Sequence, residues 1–307
     1  MKLLIVNHSE QRCGVYQHGK RIANIISLDE RYNSQYVEVD DPSSLIKKVE
    51  EFSPTHILYN WHHSTLWWLN SDLISYLNDK LIKQLIFHHE NSMPTHFPVS
   101  GFVMADMSEK EDSKVFGLPR AIFETNLSCN YNEIVSIGSF GFGFPNKGFD
   151  RLCLRVQEEF DHANINIHMT AAFFGDANGE LREQVAARCA SFIYKPGIKL
   201  QIGRDFIDDN GVLKFLSEND INIFMYDDMP GRGLSSVIDY AVSVDRPFAV
   251  NSSSMFRHVL EKTPSVNVDN FSISEIINNG PNISKFYQQE WSNNSLRDKM
   301  FYILESI

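Results

Sequence analysis

The chain has 307 residues, a net charge of −11 and 43% hydrophobic residues. That is longer than one ordinary domain requires, with enough apolar side chains for two cores. The acidity argues against a partner held by neutralising nucleic-acid phosphates. With no apolar run of about 18 residues, no segment is expected to span a bilayer. Cys13, Cys129, Cys153 and Cys189 form no CxxC, which predicts a reducing, cytoplasmic setting and no metal site.

The opening run, residues 3–6, is apolar but stops at Asn7, His8 and Ser9. No long apolar region follows, so a buried parallel strand is expected rather than a signal peptide. Val15, Ile22, Ile25 and Ile26 mark a helix over 15–26. Next come a strand over 36–39 and a helix over 43–52 with Ser43 or Ser44 as its cap. A strand over 56–59, a helix over 73–81 and a strand over 84–87 continue the alternation, which predicts βαβ units and a parallel sheet. Lys47, Lys48, Lys80 and Lys83 are expected on solvated faces, leaving at most peripheral membrane contact.

The pattern restarts near residue 133. Strands are expected over 134–137, 164–170, 198–201, 221–224 and 248–250. Helices are expected over 150–160, 181–190, 208–218, 233–244 and 293–307. Two doubly wound halves result, and no short repeat suggests a solenoid. In such sheets ligands bind at the carboxyl ends of strands, so the chemistry belongs to the strand-to-helix loops.

Five loops qualify. In the first, residues 7–19, Gly14 lets the backbone approach a ligand where a helix begins; a purely steric glycine is the alternative. The second, residues 60–68, offers Asn60, Trp61 and His62 to an acceptor, with one of Trp67 and Trp68 expected in the core and the other exposed. The third holds His88, His89, Glu90, Asn91 and Ser92. Neighbours at a strand end point to opposite sides, so one histidine is expected to face the ligand, as orienting or proton-transfer group, and the other to pack. The fourth, residues 138–150 (GSFGFGFPNKGFD), places Ser139 and Lys147 in a glycine-rich turn suited to a diphosphate. It lacks the order of a Walker A loop and of GxGxxG.

The fifth, residues 226–239 (YDDMPGRGLSSVID), opens a helix at Gly233, Leu234, Ser235 and Ser236, whose amides suit phosphate oxygens. Asp239 follows, placed to accept a ribose diol. The plainer alternative is an ordinary helix capped by Ser235.

Residues 135–152 resemble the strand–loop–KGxxxL element of the family 4 glycosyltransferases, which have the GT-B fold of two Rossmann-like, doubly wound parallel-sheet domains with an interdomain cleft. Residues 233–250 resemble that family's GxxxxEAxxxGxPV element. Cys13, Gly14 and Val15 stand at its N-terminal glycine loop, and His88 and His89 at its sugar-side histidine. Phe286, Tyr287 and Trp291 resemble its ending, in which a last helix crosses back to the first domain.

The resemblance implies an acceptor domain over 1–125, a nucleotide-sugar donor domain over 126–285 and a returning helix over 286–307. It implies a hexosyltransferase acting in polysaccharide biosynthesis. The hexose would pass from a nucleoside diphosphate sugar to a glycan or lipid-linked acceptor, with retention and with neither metal nor cofactor. His88, His89 and Lys147 would serve the reaction. Gly14, Ser139, Arg232, Gly233, Leu234, Ser235, Ser236 and Asp239 would join Lys147 in holding the donor. Two departures stand out. Ser139 or a neighbour replaces the family's arginine, with Arg232 as substitute, and Gly231 occupies the first of two paired carboxylate positions, where Asp227 or Asp228 would have to serve. The rivals are an epimerase or phosphorylase of the same fold, and a non-catalytic sugar- or nucleotide-binding subunit.

Overall fold

The computed structural model describes residues 1–307 except 91–92, 108–111, 113 and 128–131, and the side chain of Pro281. Asn91, Ser92 and Cys129 therefore lie outside the described residues. The chain divides into two compact units. The first is Met1–Ala121 with Gly231–Leu234 and Glu290–Ile307; the second is Ile122–Pro230 with Ser235–Gln289.

The first unit begins with β1 (Lys2–Asn7), α1 (Gly14–Ser27), β2 (Asn33–Glu38), α2 (Pro42–Phe52) and β3 (His56–Trp61). It continues with α3 (Ser71–Asn78), β4 (Lys83–His88), β5 (Gly101–Met104) and β6 (Val115–Gly117). The strands form one parallel sheet in the order β2-β1-β3-β4-β5-β6. β1 shows why the sheet is buried on both sides. Leu3 and Ile5 enter the core with Ile22, Ile25 and Ile26 of α1, whereas Leu4 and Val6 enter the opposite core with residues of α2 and α3. Alternation with both faces apolar is the signature of a doubly covered parallel strand.

α2 starts one residue before the expected 43, and neither Ser43 nor Ser44 caps it. Asp41 does, accepting from the Ser44 amide, because Pro42 is preorganised for the first helical position. β5 and β6 have no counterpart in the sequence reading; they are only four and three residues long, too short to show a period.

The second unit starts with β7 (Ser136–Phe142), α4 (Phe149–Glu159), β8 (Ala163–Thr170), α5 (Glu180–Ser191) and β9 (Ile198–Gly203). Next come α6 (Asp209–Ser217), β10 (Ile221–Phe224), α7 (Val237–Ser243), β11 (Phe248–Val250) and α8 (Arg257–Leu260). α9 (Ile273–Asn279) and α10 (Pro281–Glu290) follow, and α11 (Asn293–Ser306) ends the chain. The sheet order is β11-β10-β7-β8-β9, all parallel. Ile137, Ile165 and Ile167 pack with α4, α5 and α9 on one face. Phe140 packs with α6 and α7 on the other. Leu296, Met300, Ile303 and Leu304 of α11 join Ile22, Ile25 and Ile26 of α1 in the first unit's core.

Two expectations in the second unit are corrected. β7 does not stop at a glycine turn after residue 137 but runs through Gly138 and Gly141 to Phe142. Gly138 is a packing residue: a Cβ there would lie 2.3 Å from side-chain atoms of Asn219 and Asn222. The helix expected from 233 begins only at Val237, without a side-chain cap from Ser236, so Ser235 is not its cap.

Candidate functional site

In the first unit the chain runs from β1 outward to β2 and then returns to place β3 on the other side of β1. This reversal makes the carboxyl ends of β1 and β3 a topological switch point, the usual ligand crevice of an open α/β sheet. Asn7 ends β1 and Asn60 lies near the end of β3; both are buried. The Asn60 amide donates to Asn7 Oδ1 at 2.8 Å and to the Val15 carbonyl at 2.8 Å. Asn7 in turn donates to the Tyr16 carbonyl and the Tyr36 hydroxyl, both at 3.1 Å. Gly19 leaves room for this bridge, since a Cβ there would stand 2.2 Å from Asn60 Nδ2. Asn60 is therefore tied inward rather than offered to an acceptor.

Trp61 is also internal, stacked on His88 at 5.6 Å and edge-on to Phe97. This corrects the expectation of an aromatic face for a sugar. Of the other tryptophans, Trp68 is buried and Trp67 is 75% exposed, the expected split. His88 is buried and His89 half-buried, so the histidine pair divides as neighbours on an extended chain must. His89 Nε2 lies 2.7 Å from Asn60 Oδ1. Burial, reinforced by the nearby imidazoles of His62 and His88 and the guanidinium of Arg120, pushes His89 down to about 3. It is neutral at physiological pH.

Glu90 is the hub of this end of the sheet. It accepts from His62 Nε2 at 3.1 Å, from Arg232 Nη1 at 2.8 Å and from the Gly233 amide at 3.1 Å. Burial opposes its ionisation, but these three donors outweigh burial and hold the carboxyl at about 2. Gly233 has to be glycine, because a Cβ would fall 1.6 Å from the His89 carbonyl oxygen. Gly14 is different: it opens α1, is exposed, and a Cβ there would meet nothing within 4 Å. Packing does not demand glycine at that position.

The second unit has its own switch point. From β7 the chain proceeds to β8 and β9 on one side, then crosses to β10 and β11 on the other. The loops after β7 and β10 meet there. The Asp227 amide donates to the Asn146 carbonyl at 2.9 Å, and Lys147 Nζ stands 3.9 Å over the ring of Tyr226. Lys147 ends a short 3-10 turn, Pro145–Lys147, and Gly148, at φ 65°, turns the chain into α4. A Cβ on Gly148 would strike the Met225 carbonyl, so the glycine is what lets the two loops approach.

The remaining candidates sit as follows. Ser139 is buried inside β7, not in a turn. The Ser235 amide is taken by the Met255 carbonyl at 3.1 Å and that of Gly233 by Glu90, so these two amides already have internal partners. Leu234 and Ser236 are half-buried just before α7. Asp239 lies in the first turn of α7 and is fully buried, not presented on the surface. Asp227 is paired with Arg151 at 2.6 Å, and Asp228 accepts from the Ser254 amide at 2.9 Å. Neither carboxylate is idle at the place of the missing first acid.

Asn7, Glu90 and Tyr226 lie in three of the candidate loops, but their sequence context assigned none of them a role. The partner of Glu90 is 142 residues away, which no local pattern reveals. Asn7 carried a signal, a polar residue closing a buried apolar strand. Among the described residues no cluster of histidine, cysteine or carboxylate side chains suits a metal ion, and no helix is long and apolar enough to cross a membrane.

No protein-family model and no curated protein matches the chain. Solved structures do. The chain is similar to Anabaena Alr3699/HepE in complex with UDP-glucose, with a TM-score of 0.67 and 11% identity over 100% of both chains. It is similar to a glycosyltransferase from Rickettsia africae, with a TM-score of 0.63 and 11% identity over 98% of this chain and 97% of that one. It is also similar to a UDP-forming trehalose-phosphate synthase from Burkholderia xenovorans, with a TM-score of 0.63 and 11% identity over 99% and 98%. The fold is GT-B. Within it, the first unit carries the Asn60–His89–Glu90 constellation and the second the Lys147–Tyr226 crossing.

Proposed function

We propose that the chain is a glycosyltransferase of the family 4 type, moving a hexose from a nucleoside diphosphate sugar to a glycan or lipid-linked acceptor with retention. One observation carries this reading. Lys147 stands where the loops after β7 and β10 meet, at the second unit's switch point. A diphosphate bound at that point finds a cation and the backbone of two converging loops. The neutral His89 of the first unit suits an uncharged sugar better than a phosphate. Structures similar to this chain hold UDP or UDP-sugars, which agrees with the reading.

Calorimetry with UDP, GDP and ADP tests it. One nucleotide is expected to bind, and Lys147→Ala is expected to weaken that binding by about 1–3 kcal/mol, the cost of a lost charged hydrogen bond. No binding by any of the three would overturn the reading. The reading asks for positive charge from the protein and not from a divalent ion. Transfer is therefore expected to survive excess chelator; a loss reversed by Mg²⁺ or Mn²⁺ would refute that part.

A second reading has its own support. Gly231 stands at the first of the paired acid positions, and Asp227 and Asp228 are both engaged elsewhere. A nucleotide-sugar-binding subunit without turnover fits that pattern. Release of nucleoside diphosphate from the bound sugar nucleotide separates the two.

A further inference from the structure

The hydrogen bonds around Asn60 fix more than its own position. A backbone carbonyl only accepts. Tyr16's carbonyl therefore turns the Asn7 amide nitrogen toward itself, leaving Asn7 Oδ1 to face Asn60. The Val15 carbonyl does the same to Asn60: its nitrogen faces Val15 and Asn7, and its oxygen is left facing His89. The atom opposite that oxygen, 2.7 Å away, is His89 Nε2. Two acceptors at that distance repel unless a proton lies between them, so Nε2 carries it. The neutral ring has one proton to place, and His89 Nδ1 is left as a bare lone pair with no hydrogen bond to a described residue.

We infer that Asn60 is a positioning residue that holds His89 in the Nε2–H tautomer, so that Nδ1 is presented as a hydrogen-bond acceptor. Two carbonyls of α1, those of Val15 and Tyr16, dictate the tautomer through the two asparagines. The consequence for ligand chemistry rests on the proposed function. A group bound at Nδ1 must bring its own hydrogen, so a hydroxyl of the proposed sugar fits there and an ionised phosphate oxygen does not. The depressed proton affinity of His89 agrees, since an imidazolium would offer a second donor and attract phosphate.

Nitrogen-15 NMR of the whole protein with labelled histidine tests the inference, with the His89 ring assigned by its disappearance in His89→Gln. Long-range correlations from the ring carbons report each nitrogen separately. At neutral pH Nε2 is expected at the position of a protonated, pyrrole-like nitrogen and Nδ1 at that of a bare, pyridine-like one. The reverse assignment, or two averaged nitrogens, would overturn the inference without any variant being needed. Asn60→Ala is expected to bring the two shifts toward each other as the tautomers mix; two unchanged shifts would also overturn it. Should that variant fail to fold, Gly19→Ala displaces the Asn60 amide, because its Cβ would lie 2.2 Å from Nδ2, without altering His89. A protein that binds no nucleotide yet shows the expected shifts loses only the functional reading. One that transfers sugar with the opposite shifts loses only this one.

Discussion

Glu90 shows how a single side chain joins distant stretches of the sequence. Its carboxylate neutralises Arg232 and fixes the Gly233 amide, so it holds Gly231–Leu234 on the first unit. Replacing the carboxylate by an amide removes the charge facing Arg232 and turns one of its two accepting oxygens into a donor. Glu90→Gln is expected to destabilise the protein by about 1–3 kcal/mol at neutral pH, as loss of charge-assisted hydrogen bonds does. The pH dependence follows from the two proton affinities. An unfolded glutamate takes up its proton near 4.5, the folded one only near 2. Between those values the unfolded state binds more protons, so stability falls as pH drops through the window. His89 works in the same direction higher up: unfolded it protonates near 6.5, folded near 3, and stability is lost as pH falls between them. Urea midpoints measured against pH are expected to decline from just below neutrality. Because burial also lowers His8, His18 and His56, and Asp29 and Asp41 are lowered as well, His89→Gln is expected to make the upper part of the slope shallower and Glu90→Gln the lower part. A wild-type midpoint that stays flat down to about pH 4 would contradict the His89 assignment.

At the scale of elements, the turn that ends α3 carries a residue in an unfavourable conformation. Leu81 has φ 60° and is 88% exposed. Its amide bonds to the Asn78 carbonyl at 2.8 Å and that of Ile82 to the Leu77 carbonyl at 3.4 Å, the closing pattern of a helix that wants glycine here. A left-handed conformation costs an ordinary residue about 1–2 kcal/mol, and glycine returns about half of that through its unfolded-state freedom. Leu81→Gly is expected to stabilise the protein by up to about 1 kcal/mol, seen as a higher melting temperature. Leu81→Ala, which keeps the Cβ, is expected to give no such gain; equal effects would refute the argument. The same turn shows what a sequence conceals. β10 is legible to the residue because Ile221, Ile223 and Phe224 follow the polar run Glu218, Asn219 and Asp220. Leu81, read as the end of a helix over 73–81, lies three residues beyond it, since nothing local marks a leucine for the left-handed region. The helix expected from 233 fails for a different reason. Gly233 is held by Glu90, and the competing partner is not in the neighbourhood that periodicity samples. Lys147 and the loops of the candidate site were legible because glycine, proline and polar residues punctuate the strand ends. The asparagine bridge was not, because Asn7 and Asn60 meet only after β1 and β3 pair.

The whole molecule offers a probe that distinguishes its two units. Its four tryptophans are Trp61, Trp67, Trp68 and Trp291, and all fall in the first unit. Tryptophan fluorescence therefore follows the first unit, whereas the circular dichroism of helices follows both. Each unit has its own core, so a single two-state transition is not the default for the chain. A ligand that binds only the folded form of one unit stabilises that unit by mass action, by about 2.7 kcal/mol at a hundred times its Kd. If the diphosphate is held at Lys147, that unit is the second. Saturating nucleoside diphosphate is expected to raise the dichroism transition more than the fluorescence transition, and Lys147→Ala to shrink the difference. A fluorescence transition that rises as far as, or farther than, the dichroism transition would place the nucleotide's main grip in the first unit and remove Lys147 from its role.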